Sequence, residues 1–237
     1  MSSVPAALAG ACYSPSYAVS RARFLLAAAQ AGARVDTWVH PQAGAPDGGS
    51  LATDVAVLGP PDAPEAALVV SGTHGPEGFM GAAAQIALLH EIAGRAEPPP
   101  VRIVLVHAIN PWGFAHVSRT TEHNVDLNRN FVDWSAAAPV NEHYAGLHDA
   151  LCPPDVAPET LGASRARLEA WSAEHGQDAF ADATMRGQYT HPEGLNYGGT
   201  GPEWSHLVLR QIVERHLASA RRIGLIDWHT ALGERAQ

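Results

Sequence analysis

Apolar positions along the chain fall into short unbroken runs separated by stretches that are apolar on one helical face, and this alternation predicts an α/β protein. Ser20 to Ala31 reads as a helix capped by Ser20 and closed by Gly32, with an extended run from Arg34 to Val39 after it. Val55 to Leu58 predicts a further strand. Ala67 to Val70 is continuously apolar, as a strand covered on both faces must be, and it stops abruptly at Ser71-Gly72-Thr73-His74-Gly75-Pro76-Glu77-Gly78. A helix over about Glu77 to Ile92 and a second apolar strand over Val101 to Val106, ending at Asn110-Pro111, complete a strand, loop, helix, strand order. That order indicates a parallel or mixed sheet covered by helices.

From Ser135 to Thr200 the periodicity weakens under proline, glycine and histidine. Only Ser164 to His175 keeps a helical face there, so the segment reads as a long excursion over the sheet edge. Pro202 to Ala220 restores the helical spacing with Trp204, Leu207, Val208, Ile212 and His216 or Leu217. A final strand, Ile223 to Ile226, runs into Asp227-Trp228-His229-Thr230. Two strands therefore empty into polar motifs, at the carboxyl edge where open α/β sheets hold ligands. With no repeat, low-complexity tail or linker, residues 1–237 read as one domain, a size that buries a sizeable core.

Composition narrows the partners. The net charge is -9, and the fifteen basic residues are all arginine, scattered without a basic run. This argues against nucleic acid or an acidic membrane surface. Cys12 and Cys152 are too few for a disulfide framework or a thiolate cluster, and no segment has the length and flanks of a signal or a membrane span, so a soluble cytoplasmic protein is expected.

His74 and Glu77 stand three apart at a strand-to-helix turn, and His229 ends another strand. Imidazole and carboxylate donors with a fourth position left for water are what a hydrolytic zinc ion needs, because the ion must lower the pKa of water and polarise a carbonyl together. A lone His-x-x-Glu is weak, and its bland reading is a helix N-terminus with Glu77 answering the dipole. Asp227 reads either as the group that orients a ligating imidazole or as a strand-end carboxylate satisfied by backbone amides. His107, on an apolar strand, reads as a core or supporting histidine.

The order of motifs adds specificity. Asn110-Pro111-Trp112-Gly113-Phe114, a segment with Arg119, Asp126-Leu127-Asn128-Arg129-Asn130-Phe131 and Asp227-Trp228-His229-Thr230 follow the first motif in turn. Together these resemble the zinc carboxypeptidase-like superfamily, which also contains aspartoacylase-type deacylases, from about Leu68 to Gly233. The run from Gly187-Gln188-Tyr189 to Tyr197-Gly198-Gly199 resembles a bacterial branch of unknown function. The resemblance implies a three-layer αβα fold with a mixed, mostly parallel central sheet, and one zinc ion on His74, Glu77 and His229. It implies that Arg119 polarises the scissile carbonyl and that Asn128 and Arg129 grip a substrate carboxylate, for which an arginine fork is suited. The alternative reading on the residues alone makes Arg119 and Arg129 surface partners of Glu122, Asp126 and Asp133, and Asn128 a turn cap.

The activity so implied is hydrolysis of an amide bond beside a carboxylate-bearing group, on a small peptide, or on an acylated amino acid or cell-wall peptide. The resemblance also implies a general-base glutamate on a strand beyond the third ligand. Glu234 follows His229 too closely for that, and Glu193 reads as a loop carboxylate. The expectation is therefore a chain lacking its C-terminal strands, either part of a longer enzyme or a metal-binding relative without turnover. An uncovered sheet edge would then favour self-association.

Overall fold

In the computed structural model residues 10–229 are described, and they divide into two compact units, residues up to Glu122 with those from Trp204 onward, and residues His123 to Glu203.

The first unit holds the sheet. Helix α1 (Tyr17–Gln30) starts at Ser16, whose hydroxyl accepts from the Val19 amide. Ser20, expected as the cap, lies one turn inside and is buried, with its hydroxyl 2.9 Å from His107 Nε2. Strands β1 (Arg34–Gly44) and β2 (Ser50–Leu58) form an antiparallel pair. Strand β3 (Glu65–Ser71), helix α2 (Gly75–Ala93) and strand β4 (Arg102–His107) follow. After the short helix α3 (Pro111–His116), the chain returns to this unit as helix α8 (Trp204–Leu217) and strand β5 (Arg222–Trp228).

The sheet runs β1-β2-β4-β3-β5. Strand β4 pairs antiparallel with β2 and parallel with β3, and β5 pairs parallel with β3. It is thus a mixed five-stranded sheet flanked by helices, in the three-layer αβα class, with two parallel and two antiparallel pairings among the described strands. The antiparallel share is larger than the expected, mostly parallel sheet carries, because β1 and β2 are joined by a connection too short for a crossover.

Phe24, Ala27 and Ala28 of α1 and Ile86, Leu89 and Ile92 of α2 close over Ala56, Leu58, Val69 and Leu105. Gln85 is the polar exception in this helix face. It is fully buried, donates from Nε2 to the carbonyls of Val69 and Val106, and accepts from the Ser71 hydroxyl. One side chain thereby ties α2 to both β3 and β4. Strand β5 is the contrast: all seven of its residues are exposed, including Leu225 at 65%. No described helix is long and apolar enough to cross a membrane.

A second buried polar cluster lies between α1 and the sheet. Asp54, opposite His107 in the β2–β4 register, receives the Arg21 guanidinium at 2.6 Å and the Thr37 hydroxyl at 2.6 Å. His107 stacks on Phe24, and burial pushes its pKa down to about 4 against the attraction of Asp54. The unfolded chain takes up this proton near the ordinary value of 6.5 and the folded one only near 4. The neutral ring therefore stabilises the fold fully above pH 6.5, and that contribution is lost as pH falls toward 4. Urea unfolding should show roughly 2 kcal/mol less stability at pH 5 than at pH 7 from this group. His107→Gln should flatten the difference by that amount; an unchanged slope would count against a neutral buried imidazole.

The second unit is helical: α4 (Leu127–Asn130), α5 (Tyr144–Leu151), α6 (Pro158–His175) and α7 (Gln177–Met185). Tyr144 and Leu147 are buried in it, and the Tyr144 hydroxyl accepts from the Leu195 amide. Asn130 acts as an internal tie, donating to the carbonyls of Gly198 and Gly201 and accepting from the Glu203 amide. The segment read as an excursion is therefore an organised unit with its own polar scaffold.

Candidate metal centre

The site is assembled where β3 and β5 end side by side. Ser71 pairs with Trp228 in the parallel register, so the residues after each emerge at the same edge of the sheet. Gly72 turns the chain with φ +71°, a left-handed conformation that glycine adopts without a steric cost. Thr73 and His74 follow in the loop, and α2 begins at Gly75 with Pro76 in its first turn. Pro76 suits that position because its missing N–H has no helical partner there. Gly75 is needed for another reason: a Cβ on it would stand 1.9 Å from the Gly113 carbonyl oxygen and 2.4 Å from that of Ser118.

His74 is buried at 3% exposure and stands at the N-cap of α2 with no side-chain cap bond to the helix amides. Its imidazole instead meets Glu77, one turn along, with Nδ1 to Oε1 at 3.0 Å. The His229 ring stands 4.8 Å from that of His74, centroid to centroid, nearly perpendicular to it. One donor atom from each of His74, Glu77 and His229 lies within 4.8 Å of the other two. The three residues read from the sequence as ligands are thus brought together, by three different elements of one unit.

Asp227 settles as the orienting group. Its Oδ2 lies 2.8 Å from His229 Nδ1, and the Thr73 hydroxyl donates to both carboxylate oxygens at 3.0 and 3.1 Å. The Asp227 contact fixes the proton on Nδ1 and leaves a lone pair on Nε2, a buried atom with no hydrogen-bond partner. The hydrogen bond that His229 donates to Asp227 raises the pKa of His229, burial opposes it, Asp227 and Glu77 add to it electrostatically, and Arg119 subtracts. An unpartnered buried imidazole nitrogen beside a carboxylate and a second imidazole fits a divalent ion: two nitrogens and one oxygen with a side left open match catalytic zinc. Thr73 was not among the residues read from the sequence, since its importance rests on a partner 154 positions away.

Arg119 is exposed in the loop after α3 and close enough for its charge to be felt at His229. Asn128 and Arg129 belong to the helical unit. There the Arg129 guanidinium donates to the carbonyls of Met185 and Asn128, its Nε is buried without a partner, and its own carbonyl accepts from the Tyr189 hydroxyl. Asn128 is exposed on α4. His107 lies in the core with Ser20 and Phe24, so it is no ligand of this group. Thr230 and Glu234 lie outside the described residues.

A family model described as "Protein of unknown function (DUF2817)" matches residues 13–237. No curated protein matches the sequence. Among solved structures, a glutaminyl cyclase of Porphyromonas gingivalis is similar at a TM-score of 0.33 with 10% identity, over 90% of this chain and 75% of that one. A Zn-dependent exopeptidase from Parabacteroides distasonis ATCC 8503 is similar at a TM-score of 0.32 with 14% identity, over 89% of this chain and 81% of that one. Likeness at this level does not bear on the reaction.

Proposed function

The chain belongs to the DUF2817 family, whose description names no activity, and we propose from its metal centre that it is a zinc-dependent hydrolase cleaving an amide bond beside a carboxylate-bearing group. The observation that carries this reading is the convergence of His74, Glu77 and His229 around the unpartnered His229 Nε2. When bound there, zinc would supply acidification of a water molecule and polarisation of a carbonyl.

The chain's own residues prepare that chemistry. Asp227 keeps the Nδ1 proton on His229 and so keeps Nε2 free to donate its lone pair; Thr73 holds both oxygens of Asp227 in place. Glu77 contributes a negative charge to a site that must attract a cation. Arg119, whose charge is felt at His229, is proposed to stabilise negative charge developing on the attacked carbonyl oxygen. Asn128 and Arg129 are proposed to grip the substrate carboxylate through charge-assisted hydrogen bonds.

Matched peptides with free and amidated C-termini test the substrate half of the proposal, using zinc-loaded protein and mass spectrometry of the products. The free carboxylate should raise kcat/KM at least about tenfold, the worth of one charge-assisted bond. Equal rates would remove the carboxypeptidase reading and leave a less selective amidase. Cleavage of neither peptide, with zinc bound, would leave a metal-binding protein without turnover on such substrates.

A further inference from the structure

A second polar cavity, of about 430 Å³, opens in the sheet unit where β1 and β4 begin and α8 ends. Three of the chain's fifteen arginines line it, Arg34, Arg102 and Arg215, together with His216 and Ser219, and no carboxylate is among its lining residues. Arg102 is 7% exposed and is held by main-chain carbonyls, from Nε to Pro60 and from Nη1 to His216, with Nη1 also 3.4 Å from the Ser219 hydroxyl. Arg34 Nη2 lies 3.2 Å from His216 Nδ1. An arginine can only donate, so Nδ1 accepts and the ring proton is on Nε2, which lies 3.2 Å from Asp36 Oδ2 without forming a hydrogen bond to it. Arg215 spans from Asp36, at 3.8 Å, to the face of Trp38.

Among the described residues Asp36 is thus the one carboxylate paired with this group, and it answers one of three guanidinium charges while His216 is neutral. Burial lowers the His216 pKa, Asp36 opposes this, and Arg34, Arg215 and Arg102 reinforce it, as a locally positive field requires. A pocket of this volume takes a small molecule, and guanidinium groups match the oxygens of phosphate and carboxylate. The structural alternative, with Arg102 capping the end of α8, Arg34 bonded to His216 and Arg215 packed between Asp36 and Trp38, accounts for each contact singly but leaves an excess of positive charge around one cavity.

We propose that this cavity binds a small multivalent oxyanion, a phosphate-bearing or polycarboxylate molecule, through Arg34, Arg102, Arg215 and the Ser219 hydroxyl. The position makes it a separate site. Strand β4 starts at the cavity and runs parallel to β3, whose far end leads to His74, and a six-residue strand spans about 20 Å. An anion held at one edge of the sheet therefore does not touch the reaction at the other. It is a candidate effector of the enzyme and no part of its substrate.

Titration calorimetry of the full chain with inorganic phosphate, pyrophosphate and citrate, at constant ionic strength, tests this and separates the sources: the tightest of the three identifies phosphate or carboxylate chemistry. Arg34→Gln and Arg215→Gln should each weaken that ligand at least fivefold, and the double variant should lose it. Arg165→Gln, which removes the same charge from an exposed ion pair in the helical unit, should bind as the wild type does. His74→Ala should also bind unchanged, because pyrophosphate and citrate can reach a metal ion too. Absence of binding by all three anions, equal affinity in Arg34→Gln and Arg215→Gln, or loss of binding in His74→Ala would each overturn the proposal.

Discussion

Replacing His74 by alanine should take the purified protein from about one zinc ion per chain to none measurable by plasma mass spectrometry, and should cut amide hydrolysis by roughly a thousandfold or more. The size of the effect follows from the donor set. With His74 gone, Glu77 and His229 offer two donors where catalytic zinc takes three, and the remaining carboxylate loses the imidazole that faces it at 3.0 Å. The fold should survive, because His74 sits in a loop and makes no cap bond to α2. Circular dichroism and a thermal melt run alongside distinguish loss of metal from loss of structure, and His229→Gln gives an independent removal of a candidate ligand from a less deeply buried position. A stoichiometric ion retained in His74→Ala would end the assignment of this group as the metal centre.

Gly75→Ala should have the largest effect on stability. The added methyl would overlap the Gly113 carbonyl group and the Ser118 oxygen, all of them backbone atoms that no rotamer change can remove. The first turn of α2 would have to draw back from α3, breaking the Gly75 amide bond to Ser118. A loss of about 3 kcal/mol or more is expected in urea unfolding, or failure to accumulate folded protein. Gly146→Ala provides the comparison. Gly146 lies inside α5 with nothing within 4 Å of the added carbon, so it should be neutral or gain up to about 1 kcal/mol from helix propensity. If the two substitutions behave alike, the close approach of α2 to α3 is wrong.

The parts of the fold that were legible are those that depend on local pattern. Ala67 to Val70 are apolar throughout, and Val101 to Val106 are apolar but for Arg102 at the start of β4, because β3 and β4 are inner strands with covered faces. The ends of β1 and β2 were not legible: the strands continue to Gly44 and from Ser50 through a register shift that no periodicity announces. Ser20 looked like a helix cap because serine there precedes an apolar run, but Ser16 serves, and the Ser20 hydroxyl is spent on His107. Helix α6 escaped in its first six residues, ahead of Ser164, because only Ser172 of its eighteen residues is buried, so burial imposes almost no pattern on it. Helices α3, α4, α5 and α7 are four to nine residues long, too short for a period to repeat.

The convergence of His74, Glu77 and His229 could be read because each follows an apolar run, and the place where a strand ends is a local fact. Its support could not. That Thr73 serves Asp227 follows from β5 lying beside β3, and strand order is a property of the whole sheet. The arginine cavity was hidden for the same reason: Arg34, Arg102 and Arg215 are far apart in the chain and meet only because β1 and β4 start near the place where α8 ends.

Gln85 bears on how the centre acquires its ion. By binding the Val69 and Val106 carbonyls and the Ser71 hydroxyl at once, it holds the helix that carries Glu77 against the strand that leads to His74, with no ion involved. On the proposed zinc reading, metal uptake is then capture by a prepared cradle, unlike small zinc domains in which the ion is what makes the chain fold. A chelator should strip the ion and spare the architecture, and reloading should keep pace with encounter between ion and protein without waiting for the chain to refold.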